Sequence, residues 1–384
     1  MKTFDVYKQF DVVPVKGKDV YIYDDLNNKY LDSYGGHAVI SIGHSEKKYV
    51  KNITNQLKNI GFYSNAVRNP LQDELSKEIN SQADLDNYKL FMCNSGAEAV
   101  ENALKLSSFN TGKKRIIAFK NSFHGRTSAA VAVTDNKYIN SELNKQHNVS
   151  FIEFNDNKKL EIELDKGDVC AIIFESIQGV GGLDQPNEEF INGLDYYQKK
   201  YQVSIIADEV QSGFCRSGQF FAFQKFNIKP DIITIAKGMG NGFPVGGILV
   251  NPNIHPQKGI LGTTYGGNHL ACVASLSVLE FLKKNNICNK ALELESYFKN
   301  IASKFNSIKK VKGRGLMLGI EFDFDVSELR SKLVYEHKIF TGSSSNKNLI
   351  RILPPLSIKK NHFDIFFNAL NKSCLLYTSP SPRD

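Results

Sequence analysis

The 384-residue sequence predicts an α/β fold: a mostly parallel seven-stranded sheet with helices on both faces, plus a smaller α+β domain. Three observations carry that prediction. Seven apolar runs have the length of buried strands, helix-like stretches separate several of them, and the sequence changes character after the long helix expected at 268–284.

The runs occupy residues 89–93, 115–119, 149–154, 169–174, 203–207, 232–236 and 246–250. They are near-continuous rather than alternating, as expected of strands covered on both faces. Stretches 97–108 and 188–200 have helical character and give the crossovers of a parallel sheet. The last two runs are joined by a short Gly-rich connection, which allows one antiparallel strand there. Residues 268–284 predict a long helix with Leu270, Val273, Ala274, Leu276 and Val278 along it. Beyond it, 313–323 is expected as one strand, followed by helix, strand and helix. Residues 19–32 suggest a hairpin with its turn at Asn27-Asn28. The expected division is an N-terminal segment 1–55 packing with the small domain, a large domain 56–272 and a small domain 273–371. Residues 372–384 are Pro/Ser-rich at their end, resemble translated adapter sequence and are set aside as a non-native tail.

Composition narrows the function. Hydrophobic residues at 41% and charged residues at 23% fit a globular chain with a core of its own. The net charge is +8, but the lysines and arginines are scattered among acids, so no nucleic-acid partner is expected. No apolar run reaches the ~18 residues of a membrane span, and the N-terminus lacks a signal-peptide plan, so no membrane partner and a cytoplasmic setting are expected. Cys93, Cys170, Cys215, Cys272, Cys288 and Cys374 form no CxxC pair and are expected as buried free thiols of a reducing compartment. The histidines show no ligand spacing, so no metal is expected.

Ligands of open α/β sheets bind beyond the carboxyl ends of the strands. There the sequence places Ser95-Gly96-Ala97 at a helix start, Phe123-His124-Gly125-Arg126, Glu175, Asp208-Glu209-Val210-Gln211, and Lys237. A Ser-Gly-Ala turn at a helix N-terminus offers N–H groups to a phosphate, although Ser and Gly are also ordinary helix caps. Lysine amines form Schiff bases with carbonyl cofactors, and a desolvated lysine loses its proton more easily. Pyridoxal phosphate needs such a lysine and a carboxylate beside its ring nitrogen. Asp208 and Lys237, ending successive strands, suit the two ends of that ring. Phe123 is a candidate to stack on one face of it, opposite Val210. Arg126 is a candidate for carboxylate recognition. A second hydroxyl-bearing loop, Thr263-Thr264, precedes the helix at 268. The G-x-G-x-x-G turn of a dinucleotide-binding dehydrogenase is not found after the first run.

Eight stretches occur in the order of one known family: LDSYGGHAV (31–39), NSGAEAVENALKL (94–106), SFHGRT (122–127), ADEVQSG (207–213), TIAKGMGNGFPVGG (234–247), GTTYGGNHLAC (262–272), GRGLMLG (313–319) and LIRILPPL (349–356). Over residues 5–371 the chain resembles the class III, fold type I pyridoxal-phosphate aminotransferases, and among them the N-acetylornithine and N-succinylornithine enzymes. The resemblance implies that Lys237 holds the cofactor and shuttles the proton, and that Asp208 pairs with the ring nitrogen. It implies that Gln211 bonds the ring hydroxyl, Val210 and Phe123 pack the ring, and Ser95, Gly96 and Ala97 bind the phosphate. Thr264 matches a residue that reaches the phosphate of a neighbouring subunit, which implies a homodimer with shared sites. Thr263 and Arg126 match substrate contacts, Arg126 taking the carboxylate of an acylated ornithine. Arg351 matches the arginine for the α-carboxylate of glutamate and 2-oxoglutarate. The implied activity moves the δ-amino group of an N-acylornithine to 2-oxoglutarate in arginine biosynthesis. Ornithine or 4-aminobutyrate as donor, and a non-catalytic cofactor-binding protein, are the alternatives. One departure stands out: the family's Glu-Pro-Ile-Gln-Gly-Glu is here Glu175-Ser-Ile-Gln-Gly-Val180, so Arg351 loses its usual acidic partner and must find another or stay solvated.

Overall fold

The computed structural model describes residues 3–378. Its strands are β1 (Pro14–Lys18), β2 (Tyr21–Asp24), β3 (Lys29–Asp32), β4 (Lys89–Cys93), β5 (Arg115–Phe119), β6 (Val149–Ile152), β7 (Val169–Glu175), β8 (Ser204–Asp208), β9 (Ile232–Ile235), β10 (Gly246–Val250), β11 (Lys310–Arg314), β12 (Met317–Glu321), β13 (Ile339–Phe340) and β14 (Leu349–Ile352). β4 to β10 form one seven-stranded sheet in the order β4-β10-β9-β8-β7-β5-β6. The pairings among β5 to β9 are parallel, and β10 runs antiparallel to both its neighbours.

The continuous apolar runs have a direct cause. Ile116, Ala118, Ala171, Ile173 and Ile206 face one core, and Ile117, Phe119, Ile172, Phe174 and Ile205 face the other. Successive side chains of a strand point to opposite faces, so a strand buried on both faces has no polar position to spare. Helix Gly96–Thr111 packs across β7, β9 and β10 on one side. Helix Glu188–Tyr201 buries Phe190, Ile191 and Leu194 in the core of the other. The register aligns the strand ends that matter. Glu175 pairs with Asp208, and Asp208 pairs with Thr234.

The N-terminal hairpin forms as β2 and β3, and β3 pairs in parallel with β13 from near the other end of the chain. The expected single strand at 313–323 is instead part of an antiparallel hairpin, β11 with β12. Gly313 (φ 87°) and Gly315 (φ 61°) turn the chain there, in the left-handed region that glycine enters without strain. The C-terminal helix runs from Lys360 through Thr378, past the break expected near residue 372. Residues 379–384 of the presumed tail lie outside the described residues. Among the described residues no helix is long and apolar enough to cross a membrane.

Glu209, the residue after β8, is fully buried and accepts four hydrogen bonds: Ser212 Oγ (2.7 Å), Ser176 Oγ (3.2 Å), Ala222 N (2.8 Å) and Phe223 N (2.9 Å). It folds the segment after Asp208 back against the sheet. Burial pushes its carboxyl up to about 7, the hydrogen bonds opposing only part of that rise.

The expectation of six free thiols is corrected. Cys215, in the turn after that segment, is disulfide-bonded to Cys288 in helix Ile287–Ala302, with Cα atoms 4.5 Å apart and a sequence separation of 73. Spacing in sequence does not reveal such a pair, because the fold alone brings the two residues within bridging distance. Cys93, Cys170 and Cys272 are free and buried, and desolvation pushes their thiols up to about 12, 11 and 12. The side chain of Cys374 lies outside those described.

Two tests follow from these packing features. Closing a loop of this length is worth up to about 4 kcal/mol. Mild reduction, or Cys215→Ser, is therefore expected to lower the melting temperature, and non-reducing peptide mapping should recover the Cys215–Cys288 peptide; two free thiols at these positions would contradict the bridge. The raised Glu209 carboxyl contributes stability below its unfolded pKa that is lost as pH rises through about 7. The cost of Glu209→Gln relative to wild type should accordingly be larger at pH 5 than at pH 8, by ~3 kcal/mol. A pH-independent cost would mean that Glu209 is ionised throughout.

Candidate active site

A pocket of about 390 Å3 opens at the carboxyl edge of β5, β7, β8 and β9. The aligned strand ends supply its polar floor. Asp208 is 5% exposed and its carboxylate is fixed from two sides. Thr234 Oγ1 donates to Oδ1 at 3.0 Å, and the buried His124 ring meets Oδ2 through Nδ1 at 2.6 Å. A buried carboxylate held by such partners is oriented as well as stabilised.

Lys237 follows β9 and opens a short 3-10 turn with φ 47°, a left-handed value uncommon outside glycine. It lines the same pocket. Desolvation lowers its ammonium pKa, Arg351 adds to that fall, and Asp208 and Glu175 oppose it. An amine that sheds its proton more readily is a better nucleophile and base.

Ser95, Gly96 and Ala97 also line the pocket. Ser95 caps helix Gly96–Thr111 by accepting from Glu98 N at 3.2 Å, so the cap lies at the helix start that lines the pocket. The first N–H groups of a helix have no intrahelical partner, and the residues of this helix start line the pocket. Gly96 is required by space: a Cβ would sit 2.7 Å from Val210 Cγ1. Phe123 and Val210 line the walls, and the exposed Arg126 stands at the rim.

Arg351, on β14, lies behind the pocket and is 3% exposed. With Val180 in place of an acid, its guanidinium is held by neutral acceptors. Nη1 donates to Gly179 O at 2.9 Å and Gln211 Oε1 at 3.2 Å, Nη2 to Tyr34 Oη at 3.4 Å, and Nε to Ser343 O. Desolvation lowers its pKa. Gln211, expected at a cofactor hydroxyl, uses its amide here to join Arg351 to the carbonyl of His37, with Nε2 donating at 3.1 Å. Thr263 and Thr264 are not brought into this pocket. Thr263 Oγ1 accepts from Asn94 Nδ2 at 3.4 Å and Gly266 N at 3.1 Å, and Thr264 is exposed.

His124, Thr234 and Glu175 are functional neighbours to which the sequence reading gave no role. His124 was visible within Phe123-His124-Gly125-Arg126, but its bond to Asp208 spans 84 residues. Glu175 accepts from Phe123 N at 3.0 Å and Gly179 N at 2.8 Å, so it shapes two walls of the pocket. Burial pushes its carboxyl up to about 6. Among the described residues no cluster of His, Cys, Asp and Glu is arranged to hold a metal ion.

The donor set fits pyridoxal phosphate: a desolvated amine, a fixed carboxylate, a helix start whose glycine packs against Val210, and an aromatic wall. Residues 4–374 match the model of the aminotransferase class-III family. The chain is 34% identical over 366 residues to the acetylornithine aminotransferase of Bacillus subtilis, covering 93% of this chain and 94% of that protein. It is 35% identical over 361 residues to the acetylornithine aminotransferase of Archaeoglobus fulgidus, with 93% and 94% covered. In structure it resembles the ornithine aminotransferase of Toxoplasma gondii, with a TM-score of 0.89 at 25% identity, covering 98% of this chain and 92% of that one.

The contact at Gly96 is testable. Gly96→Ala drives a methyl group against Val210. Overpacking of ~1–3 kcal/mol corresponds to about 5- to 150-fold weaker retention of the cofactor. Visible absorbance per chain after dialysis measures it, and full retention would show that Val210 gives way without disturbing the cofactor's wall.

Proposed function

The chain belongs to the class III aminotransferases, pyridoxal-phosphate enzymes, and from that premise we propose that it moves the δ-amino group of N-acetylornithine or N-succinylornithine to 2-oxoglutarate. The products are the corresponding semialdehyde and glutamate, and the setting is arginine biosynthesis in the cytoplasm. The observation that carries the acceptor half is Arg351: a buried guanidinium, satisfied by neutral groups alone, beside the pocket that holds Lys237. A buried cation with no carboxylate in direct contact, Glu175 acting on it only at a distance, favours a ligand that brings one. The names of the relatives support the acylated donor, and Arg126 at the rim is the group we assign to its carboxylate.

Each residue has a task in this reading. When bound, pyridoxal phosphate supplies the electron sink that lets a proton leave the carbon bearing the substrate nitrogen. Lys237 holds the cofactor, then takes and returns that proton as general base and acid. Asp208, oriented by His124 and Thr234, keeps the ring nitrogen protonated. Ser95, Gly96 and Ala97 bind the phosphate at the helix start. Phe123 and Val210 line the pocket and would hold the ring between them.

A homodimer is part of the proposal. Leu57, Phe62, Tyr63, Val67 and Tyr265 are exposed, and the Phe62 and Tyr265 rings meet at 5.6 Å beside Thr264. An exposed apolar group of this kind suits a partner surface. We assign Thr264 to the phosphate of the partner's site, and Thr263 to the substrate.

Cofactor-loaded protein titrated with N-acetylornithine, N-succinylornithine, ornithine or 4-aminobutyrate, without keto acid, tests the donor. An acylated ornithine is expected to bleach the visible cofactor band at the lowest concentration. If ornithine or 4-aminobutyrate wins, the arginine-pathway assignment falls while the transaminase chemistry stands. Lys237→Ala should lose steady-state turnover by several orders of magnitude, and retained turnover would remove Lys237 from its role.

A further inference from the structure

The motif at residues 31–39 contains a titratable side chain that the reaction above does not use. Residues Gly35, Gly36, His37 and Ala38 have φ of 56°, 53°, 68° and 63°. Four successive left-handed residues are costly where two of them carry a Cβ, and such strain persists only where the surroundings fix it. Asp32 Oδ1 fixes the entry to the turn, accepting from Tyr34 N at 3.0 Å and Gly35 N at 2.7 Å. The turn carries His37 to two contacts, and both lead to Arg351.

The first runs through the backbone. His37 O accepts from Gln211 Nε2 at 3.1 Å, and Gln211 Oε1 accepts from Arg351 Nη1 at 3.2 Å. The second runs through the side chain. The His37 and Tyr34 rings meet edge to face at 4.9 Å, and the Tyr34 hydroxyl is hydrogen-bonded to His37 Nδ1. Tyr34 Oη also meets Arg351 Nη2 at 3.4 Å. The direction of these bonds follows from the donor inventory. A guanidinium only donates, so Tyr34 Oη accepts from Arg351. The hydroxyl proton is then available to Nδ1, which accepts it when the neutral imidazole carries its own proton on Nε2. Desolvation, with Arg351 and Lys237 nearby, lowers the imidazole pKa and agrees with that state.

We propose that His37 is a positioning residue for the carboxylate end of the keto acid: through Tyr34 on one side and Gln211 on the other, the turn brackets the Arg351 guanidinium and aims it. The inference rests on the assignment of Arg351 to a substrate carboxylate. Arg351 can hold its place without an acidic partner because these neutral acceptors share its donors. His37 touches no reacting atom, so its loss should act on carboxylate binding and not on proton transfer.

Glutarate, a dicarboxylate without a reacting group, is the probe, and its dissociation constant is read from the visible band of the holoenzyme. His37→Ala removes the acceptor and keeps the backbone contact. A neutral hydrogen bond of this kind corresponds to about 2- to 12-fold weaker glutarate binding. The half-reaction with the amine donor, whose reacting carbon carries no carboxylate, should change less than that. His37→Asn, which tolerates left-handed φ and restores an acceptor, should recover glutarate binding. Tyr34→Phe should weaken it as His37→Ala does, and the double variant should lose little more than either alone. Unchanged binding in His37→Ala, an equal loss in the donor half-reaction, no recovery in His37→Asn, or additive losses would each overturn the inference. So would a wild-type holoenzyme that does not bind glutarate. If wild type binds glutarate and the His37 series behaves as expected, yet 2-oxoglutarate supports no turnover with an acylated ornithine, the proposed function falls and the role of His37 stands.

Discussion

The parallel register of β7, β8 and β9 is the constraint on which the site depends. Glu175, Asp208 and Thr234 come from segments separated by two crossovers, yet pairing sets them side by side at one sheet edge. The bonds that Thr234 and Glu175 make at the pocket floor presuppose that alignment. Thr234 reaches Asp208 because the two are register partners, and Glu175 sits where it can accept from Phe123 and Gly179. A slip of one residue would turn Asp208 into the core, where an unpaired carboxylate is not tolerated. The sheet can fix the register this firmly because both faces are packed.

Around that edge the protein manages buried charge in two ways. Carboxylates are neutralised by protonation or by dense donors: Glu209 takes four hydrogen bonds and still has its pKa pushed up to about 7. The cation at Arg351 is surrounded by carbonyl, amide and phenol oxygens. Val180, where relatives were expected to carry an acid, therefore leaves Arg351 neither unpartnered nor solvated. Its donors are shared out among neutral groups, and Glu175 acts on its charge only at a distance. The strained turn at residues 35–38 belongs to the same arrangement, since it places its carbonyl against Gln211 and its imidazole against Tyr34, the two residues that bond the guanidinium.

Much of this was legible in the sequence. The seven strands of the sheet announced themselves because Ile116 and Ile117 both need apolar surroundings, on opposite faces. The glycine-rich link before β10 signalled the one strand that reverses direction. Ser95 to Ala97, Asp208 and Lys237 were legible because polar residues ending apolar runs are rare without a purpose. What stayed hidden was long-range. The Cys215–Cys288 bridge and the His124–Asp208 bond join distant segments that no periodicity connects. The turn at Gly313 and Gly315 was lost inside an apolar stretch, because the flanking residues fit one strand as well as two. Thr263 and Thr264 had a recognisable motif, but the pocket their own chain forms does not include them.

The central claim is that the register of the sheet delivers Lys237 to the cofactor opposite Asp208. Borohydride treatment of the holoenzyme fixes a Schiff-base cofactor to its lysine, and peptide mass spectrometry then identifies the residue. The account predicts the cofactor mass on the peptide containing Lys237 and on no other. An adduct on a different lysine, or none at all in protein that shows the visible cofactor band, would contradict it.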